Sequence, residues 1–182
     1  MSTTTLTPKK AFLLQRWQEI LNDPELDRYN DDYRIETDAE GRIVVSPRPR
    51  NPHNRKAFVI AQILERHLGG YASTESRILT DDGVKAADAV WCHPERWDEI
   101  HNQDVFVTAP EICVEVLSPR NTRSEIDYKR ALYFNAGARE VWICERNNKI
   151  AFFDPEGLLK ESVICPEFPS ELDLKPPRPS SI

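Results

Sequence analysis

The sequence predicts one α/β domain in which helices flank a mixed β-sheet, with an extra helix on its N-terminal side. Two observations carry this prediction. The run Pro110-Glu111-Ile112-Cys113-Val114-Glu115-Val116-Leu117-Ser118-Pro119 is largely apolar on both of its alternating faces, as a central strand covered from both sides must be. Along the rest of the chain, segments of helical and of strand periodicity follow one another in the mixed order that builds helix layers onto a sheet. With 182 residues, 40% of them hydrophobic, the chain can bury one sizeable core.

Residues 1–8 are rich in Ser and Thr and read as a disordered tail. From Lys9 to Leu21, the residues Phe12, Leu13, Trp17, Ile20 and Leu21 recur at helical spacing, and Asn22-Asp23-Pro24 ends the helix. That helix and a polar linker account for 9–32; the main domain is expected over 33–174. It opens with Tyr33–Thr37 and Arg42–Ser46, two β-prone runs around Asp38-Ala39-Glu40-Gly41, which together signal a hairpin. Pro47, Pro49 and Pro52 then hold the chain extended. Asn51 as N-cap and Pro52 at the first helical position open a helix to about Leu68. Ala57, Ile60, Ala61, Leu64 and Leu68 form its apolar side, and Gly69-Gly70 stops it.

Two strands, Ala72–Thr80 and Gly83–Trp91, are predicted around the turn signal Asp81-Asp82-Gly83. Residues 92–109 are polar and irregular, with one helical turn near 94–100. The central strand, Ile112–Leu117, comes next. Thr122 and Glu125 match a capping box, so a helix runs from there to about Ala136, where Gly137 closes it. Val141–Cys144 and Ile150–Phe153 are two further strands around Asn147-Asn148. The Pro-rich stretch 175–182 reads as a flexible tail.

Composition narrows the function classes. A net charge of −6 argues against coating nucleic acid nonspecifically, though it leaves room for a local basic cleft. No apolar run approaches the roughly 20 residues of a membrane span, and the N-terminus lacks a basic segment followed by an apolar one, so a cytoplasmic protein is expected. Cys92, Cys113, Cys144 and Cys165 are scattered without a disulfide framework or a C-x-x-C clip, and Cys92-His93 with His101 fits no common zinc spacing. Trp91, Trp97 and Trp142 read as packing residues.

Three charged positions then line up: Asp88 in one strand, Glu115 in the central strand and Lys129 in the following helix. A carboxylate in a doubly covered strand is costly unless it is paired, hydrogen-bonded or metal-bound. Two such carboxylates on adjacent strands make a hard-oxygen site for Mg²⁺ or Mn²⁺, and a Lys beside the ion can orient water or stabilise charge on a phosphate. Spacing alone leaves the alternatives open: Glu115 reads equally as a salt-bridged strand residue, and Glu125 with Lys129 reads as a cap plus an exposed ion pair.

The chain resembles the Uma2 family, whose fold is similar to the type II restriction endonucleases of the PD-(D/E)xK superfamily. The residues that carry the resemblance are Gly41-Arg42-Ile43-Val44-Val45-Ser46-Pro47 with His53, then Ala87-Asp88-Ala89-Val90-Trp91 and Glu115-Val116-Leu117-Ser118-Pro119. Lys129 with Tyr133 and Gly137-Ala138-Arg139-Glu140-Val141-Trp142-Ile143 complete the set. The resemblance implies a restriction-endonuclease-like core that hydrolyses DNA, with Asp88 and Glu115 as ligands of Mg²⁺ (or Mn²⁺) and Lys129 as the displaced motif lysine. It also matches Glu36 to an upstream acid that assists catalysis, although a surface carboxylate fits Glu36 equally well. Two departures stand out: Ala87 replaces the Pro before the Asp, and Leu117 replaces the Lys of Glu-x-Lys. His53, in the first turn of its helix, is a candidate phosphate contact together with Arg48, Arg50 and Arg55, or part of a solvated basic loop. A homodimer follows by analogy with nucleases that cut both strands. The alternative is a non-catalytic nucleic-acid-binding or scaffold domain that keeps the nuclease fold.

Overall fold

The computed structural model describes residues 6–27 and 33–175, the side chains of Asp27, Trp97 and Asp98 excepted. Most of the two expected tails, residues 28–32 of the linker and the packing role of Trp97 therefore lie outside the described residues.

Helix α1 (Pro8–Leu21) starts one residue earlier than expected because Thr7 caps it, its hydroxyl accepting from the Lys10 amide at 3.3 Å. Its inward stripe is Leu13, Trp17 and Ile20; Phe12 points largely to solvent. After the single turn α2 (Pro24–Asp27) come the hairpin strands β1 (Tyr33–Thr37) and β2 (Ile43–Pro47). Helix α3 (Asn51–Leu68) has Arg50 rather than Asn51 at its N-cap. Asn51 is already helical and makes no capping bond, a shift of one residue that Pro52 tolerates within the first turn.

Strands β3 (Tyr71–Thr80) and β4 (Gly83–Cys92) form a long hairpin; the irregular stretch that follows contains α4 (Trp97–Ile100). Strand β5 (Ile112–Val116), helix α5 (Arg123–Asn135) and strand β6 (Glu140–Cys144) make a parallel crossover unit. Strands β7 (Ile150–Asp154) and β8 (Gly157–Leu159) close the sheet; β8, only three residues long, was not foreseen. The sheet order is β3-β4-β5-β6-β7-β8, mixed, with only the β5–β6 pair parallel. Among the described residues, no helix is long and apolar enough to cross a membrane.

The central strand separates two cores, as its doubly apolar sequence requires. Ile112, Val114 and Val116 pack with Ala57, Ile60 and Leu64 of α3, whereas Cys113 packs with Ile126 and Tyr133 of α5. A third cluster joins Leu13 and Trp17 of α1 to Ile35 of β1 and to Leu79 and Val84 of the long hairpin. All four cysteines are buried thiols.

The small hairpin is locked onto the start of β4. The Val84 amide donates to Thr37 Oγ1 at 2.8 Å, Lys85 Nζ to the Thr37 carbonyl at 2.9 Å, and the Ala86 amide to Glu36 Oε1 at 2.8 Å. Gly83 permits this approach: it has φ +82°, and a Cβ there would lie 2.4 Å from the Thr37 carbonyl oxygen.

Candidate active site

The regular sheet breaks at Asp88. Between the β3–β4 pairs Thr74↔Ala89 and Ser76↔Ala87, Glu75 and Asp88 stand opposite one another outside the ladder, and Glu75 has a left-handed φ of 52°. A non-glycine residue in that region within a strand is uncommon and costly, and such residues concentrate at functional sites. On the other side the β4–β5 pairing stops at Ala89↔Val114, and the Val116 amide donates instead to Asp88 Oδ2 at 2.7 Å. The Asp88 side chain thus substitutes for a ladder bond, which holds it in a site it shares with five other elements, β1, β3, β5, α3 and α5.

Asp88 and Glu115 are both almost fully buried, and each has its own cation. Arg34 of β1 donates Nη2 to Asp88 Oδ1 at 2.6 Å and also grips Glu75, with Nε 3.0 Å from Glu75 Oε2. Lys129 of α5 lies 3.4 Å from both oxygens of Glu115 and 3.3 Å from Glu36 Oε1, and it donates to the Ala86 carbonyl at 3.3 Å. Tyr133, one helical turn beyond Lys129, donates its hydroxyl to Glu115 Oε1 at 2.6 Å. The capping box at Thr122 and Glu125 fixes the start of α5, so Glu125 is used in the cap while Lys129 turns inward. Asp127 stays at the surface, paired with Arg123 and Arg130.

The two carboxylates titrate in opposite directions. Burial alone would raise Asp88, but the neighbouring His53 ring, the Arg34 charge and the Val116 amide outweigh it and hold the group at about 2. For Glu115, burial prevails, reinforced by the Asp88 charge; Lys129 and the Tyr133 hydroxyl only partly offset it, and the group is pushed up to about 7. Desolvation would lower Lys129, yet Glu115, Glu36 and Asp88 keep it raised, so it is a cation. Of the residues predicted from sequence, Lys129 thus gathers Glu36 and Glu115, and Asp88 acts on Glu115 and Lys129 through its charge.

The four predicted phosphate contacts are divided. His53 turns into the protein: its Nε2 is buried and faces Asp88 Oδ1 at 3.1 Å, an ion-pair contact rather than a well-aligned hydrogen bond. Arg48 and Arg50 are exposed, and Arg55 lies over the Phe58 ring at 5.9 Å. The neighbouring Lys56 is committed to structure, donating to the Glu145 and Arg146 carbonyls at 3.0 Å. Sequence reasoning missed Arg34 and Glu75 entirely and gave Tyr133 no task. His53 had a readable signal, because it lies four residues before Ala57 on the same inward helix stripe.

Whether these residues suit a divalent ion can be tested on their chemistry. Carboxylate oxygens of Asp88 and Glu115 are hard donors, the contacts of Lys129 are long enough to yield, and the buried His53 Nε2 faces Asp88 Oδ1 as a further donor. The donor set fits Mg²⁺ or Mn²⁺.

The family model Uma2, described as "Putative restriction endonuclease", matches residues 17–179. Among solved structures, a crystal structure described as that of "a putative nuclease belonging to DUF820" from Anabaena variabilis aligns with a TM-score of 0.59 at 18% identity, covering 77% of this chain and 87% of that one. At that identity the likeness is one of fold: a mixed sheet flanked by helices, as the sequence predicts. No curated protein matches.

Proposed function

The chain belongs to the Uma2 family, and from that premise we propose that it is a metal-dependent endonuclease that hydrolyses DNA phosphodiester bonds in the cytoplasm. The observation that carries this reading is that Lys129, from a helix, reaches the buried Glu115 carboxylate of β5 while Asp88 stands buried on the neighbouring strand β4, where its charge acts on both. Asp88 and Glu115 would hold Mg²⁺ or Mn²⁺, which when bound supplies Lewis-acid polarisation of the phosphate and an acidified water. Lys129, kept cationic by Glu115 and Glu36, positions the attacking water and stabilises charge that builds on the phosphoryl oxygens. Glu36 holds Lys129 from the opposite side, and Tyr133 fixes the Glu115 carboxylate by its hydroxyl. Arg48 and Arg50 are exposed at the approach to α3 and are assigned to the DNA backbone. A homodimer is the assembly that cutting both strands calls for.

A second reading, a nucleic-acid-binding or scaffold domain, is favoured by one specific feature: Arg34 and Lys129 already give each buried carboxylate a partner without any metal. Calorimetric titration of Mn²⁺ into the wild type and into Asp88→Ala, Glu115→Ala and Lys129→Ala, with plasmid nicking on the same samples, decides between them. The nuclease reading expects the carboxylate variants to lose the metal and the Lys129 variant to bind it without nicking. A wild type that binds no metal, or that binds DNA in Ca²⁺ with steep salt dependence but nicks nothing in Mg²⁺ or Mn²⁺, overturns it.

A further inference from the structure

Asp88 presents its two oxygens to different neighbours. Oδ2 is taken by the Val116 amide, so the oxygen left for a ligand is Oδ1, and Oδ1 faces His53 and Arg34. Ligand atoms of His53, Glu75 and Asp88 all lie within 4.8 Å of one another, and no other such cluster of three is present among the described residues. Ligands at about 2.1 Å around an octahedral ion stand no more than roughly 4.2 Å apart, so these three need only a small closure.

We propose that His53 Nε2, Asp88 Oδ1 and the Glu75 carboxylate form a divalent-metal site, and that the Arg34 guanidinium occupies it until a metal ion displaces it. This deepens the metal-dependent reading above and shares Asp88 with it, but it adds ligands from α3 and β3 that the family comparison does not assign.

Three features of the site favour an ion there. The first is the imidazole nitrogen: Nε2 is buried and aimed into the cluster 3.1 Å from Asp88 Oδ1, so it can coordinate an ion beside that same oxygen. The second is charge. Two carboxylates share the single charge of Arg34, so the cluster is one positive charge short, and a divalent ion in place of the guanidinium makes up the difference. The third is chemical type. One nitrogen with two carboxylates suits Mn²⁺ better than Mg²⁺, whose ligands are usually all oxygen. Because Arg34 and the ion use the same Asp88 and Glu75 carboxylates, they exclude one another, and the guanidinium acts as a built-in competitor.

The test uses the full chain, stripped of metal, and Mn²⁺ as the probe. Affinity is read by calorimetry, and bound Mn²⁺ by the nitrogen modulation that a directly coordinated imidazole imposes on its electron spin echo. The wild type should show that modulation, and His53→Gln should abolish it. Glu75→Gln and His53→Gln should each weaken Mn²⁺ at least tenfold, with His53→Gln weakening Mg²⁺ much less. Arg34→Met should tighten Mn²⁺ at least tenfold; if that variant does not fold, Arg34→Lys, a weaker competitor, should tighten it to a smaller extent. Wild-type Mn²⁺ without nitrogen modulation, or affinity unchanged in both His53→Gln and Glu75→Gln, overturns the proposal. If in that case Glu115→Gln alone loses the metal and the wild type still nicks DNA, the nuclease reading survives. If the modulation is present and nothing is nicked, the metal site stands and the nuclease reading falls.

Discussion

The raised Glu115 makes a prediction about the metal-free protein that needs no substrate. Holding a carboxyl at about 7 rather than its ordinary 4.5 corresponds to about 3 kcal/mol of unfavourable free energy once the group is ionised. Between those two values the folded chain keeps a proton that the unfolded chain has released. Stability must therefore fall as pH rises through that window and level off above it. The other carboxylates with shifted titration, Asp38, Asp88 and Glu125, are all lowered and act on the acid side of the window. The shifted cysteines and tyrosines are raised and act on its alkaline side. The slope is thus assigned to Glu115.

Urea unfolding in a chelator at about pH 5, 6, 7 and 8 measures it. For a chain of this size the expected loss of about 3 kcal/mol lowers Tm by roughly 6–12 °C. Glu115→Gln, which keeps an acceptor for Tyr133 but cannot ionise, should abolish the slope and exceed the wild type at pH 8 by about 1–3 kcal/mol. Lys129→Met should differ little from wild type at pH 5 and lose about 1 kcal/mol more for each pH unit above 7, because Glu115 is then driven higher still. Saturating Mn²⁺ should flatten the wild-type slope, since a bound cation favours the ionised carboxylate. A wild type whose stability is flat or rises from pH 5 to 7, with Glu115→Gln running parallel to it, refutes the reasoning.

Further outcomes follow from single contacts. Tyr133→Phe removes the 2.6 Å donor to Glu115 and should cost about 1–2 kcal/mol at pH 8 by urea unfolding while extending the pH slope upward. Glu140 is buried and accepts from Trp142 Nε1, Ser162 Oγ and the amides of Val163 and Ile164. Its replacement by Ala should cost about 3–5 kcal/mol by removing a buried acceptor from four donors, and amide exchange should show Val163 and Ile164 losing protection. Gly83→Ala forces a Cβ against the Thr37 carbonyl at a positive φ, so it should destabilise by about 2–4 kcal/mol. It should also tighten Mn²⁺ binding by drawing the competing Arg34 of β1 away from Asp88 and Glu75; unchanged Mn²⁺ affinity in a folded variant would count against the hairpin's role in the site.

Much of the architecture was legible because local chemistry and tertiary packing agree. The alternation of Ile112, Val114 and Val116 with Cys113 and Glu115 foretold two covering layers, and Thr122 with Glu125 foretold both the cap and the helix it starts. Strand β8 was invisible, since three residues carry no periodicity. The site was legible in part. Spacing could not decide whether Lys129 faced inward, because its i,i+4 relation to Glu125 has an equally good surface explanation; the resemblance supplied that step. Arg34 gave no local signal, because its partners come only from the docking of one hairpin on another. Glu75 did give one. A two-residue turn at Asp81-Asp82 fixes the register of the long hairpin, and counting back from Thr80↔Gly83 sets Glu75 opposite Asp88. Two acids facing each other across strands repel, which itself calls for a cation between them.

That call for a cation runs through the whole site. Glu36, Glu75, Asp88 and Glu115 face Arg34 and Lys129, four carboxylates against two full positive charges. The metal-free protein meets part of the deficit with a proton on Glu115, which burial, reinforced by the Asp88 charge, pushes up to about 7, while His53, Arg34 and the Val116 amide keep Asp88 near 2. A proton on Glu115 does nothing for Glu75 or Asp88, which share Arg34, so it relieves one end of the site only. A divalent ion bound through Asp88 supplies the missing charge where both ends can use it. The pH-dependent stability, the proposed competition with Arg34 and the proposed metal dependence all act on this one group of charges, so a measurement that breaks any one of them constrains the other two.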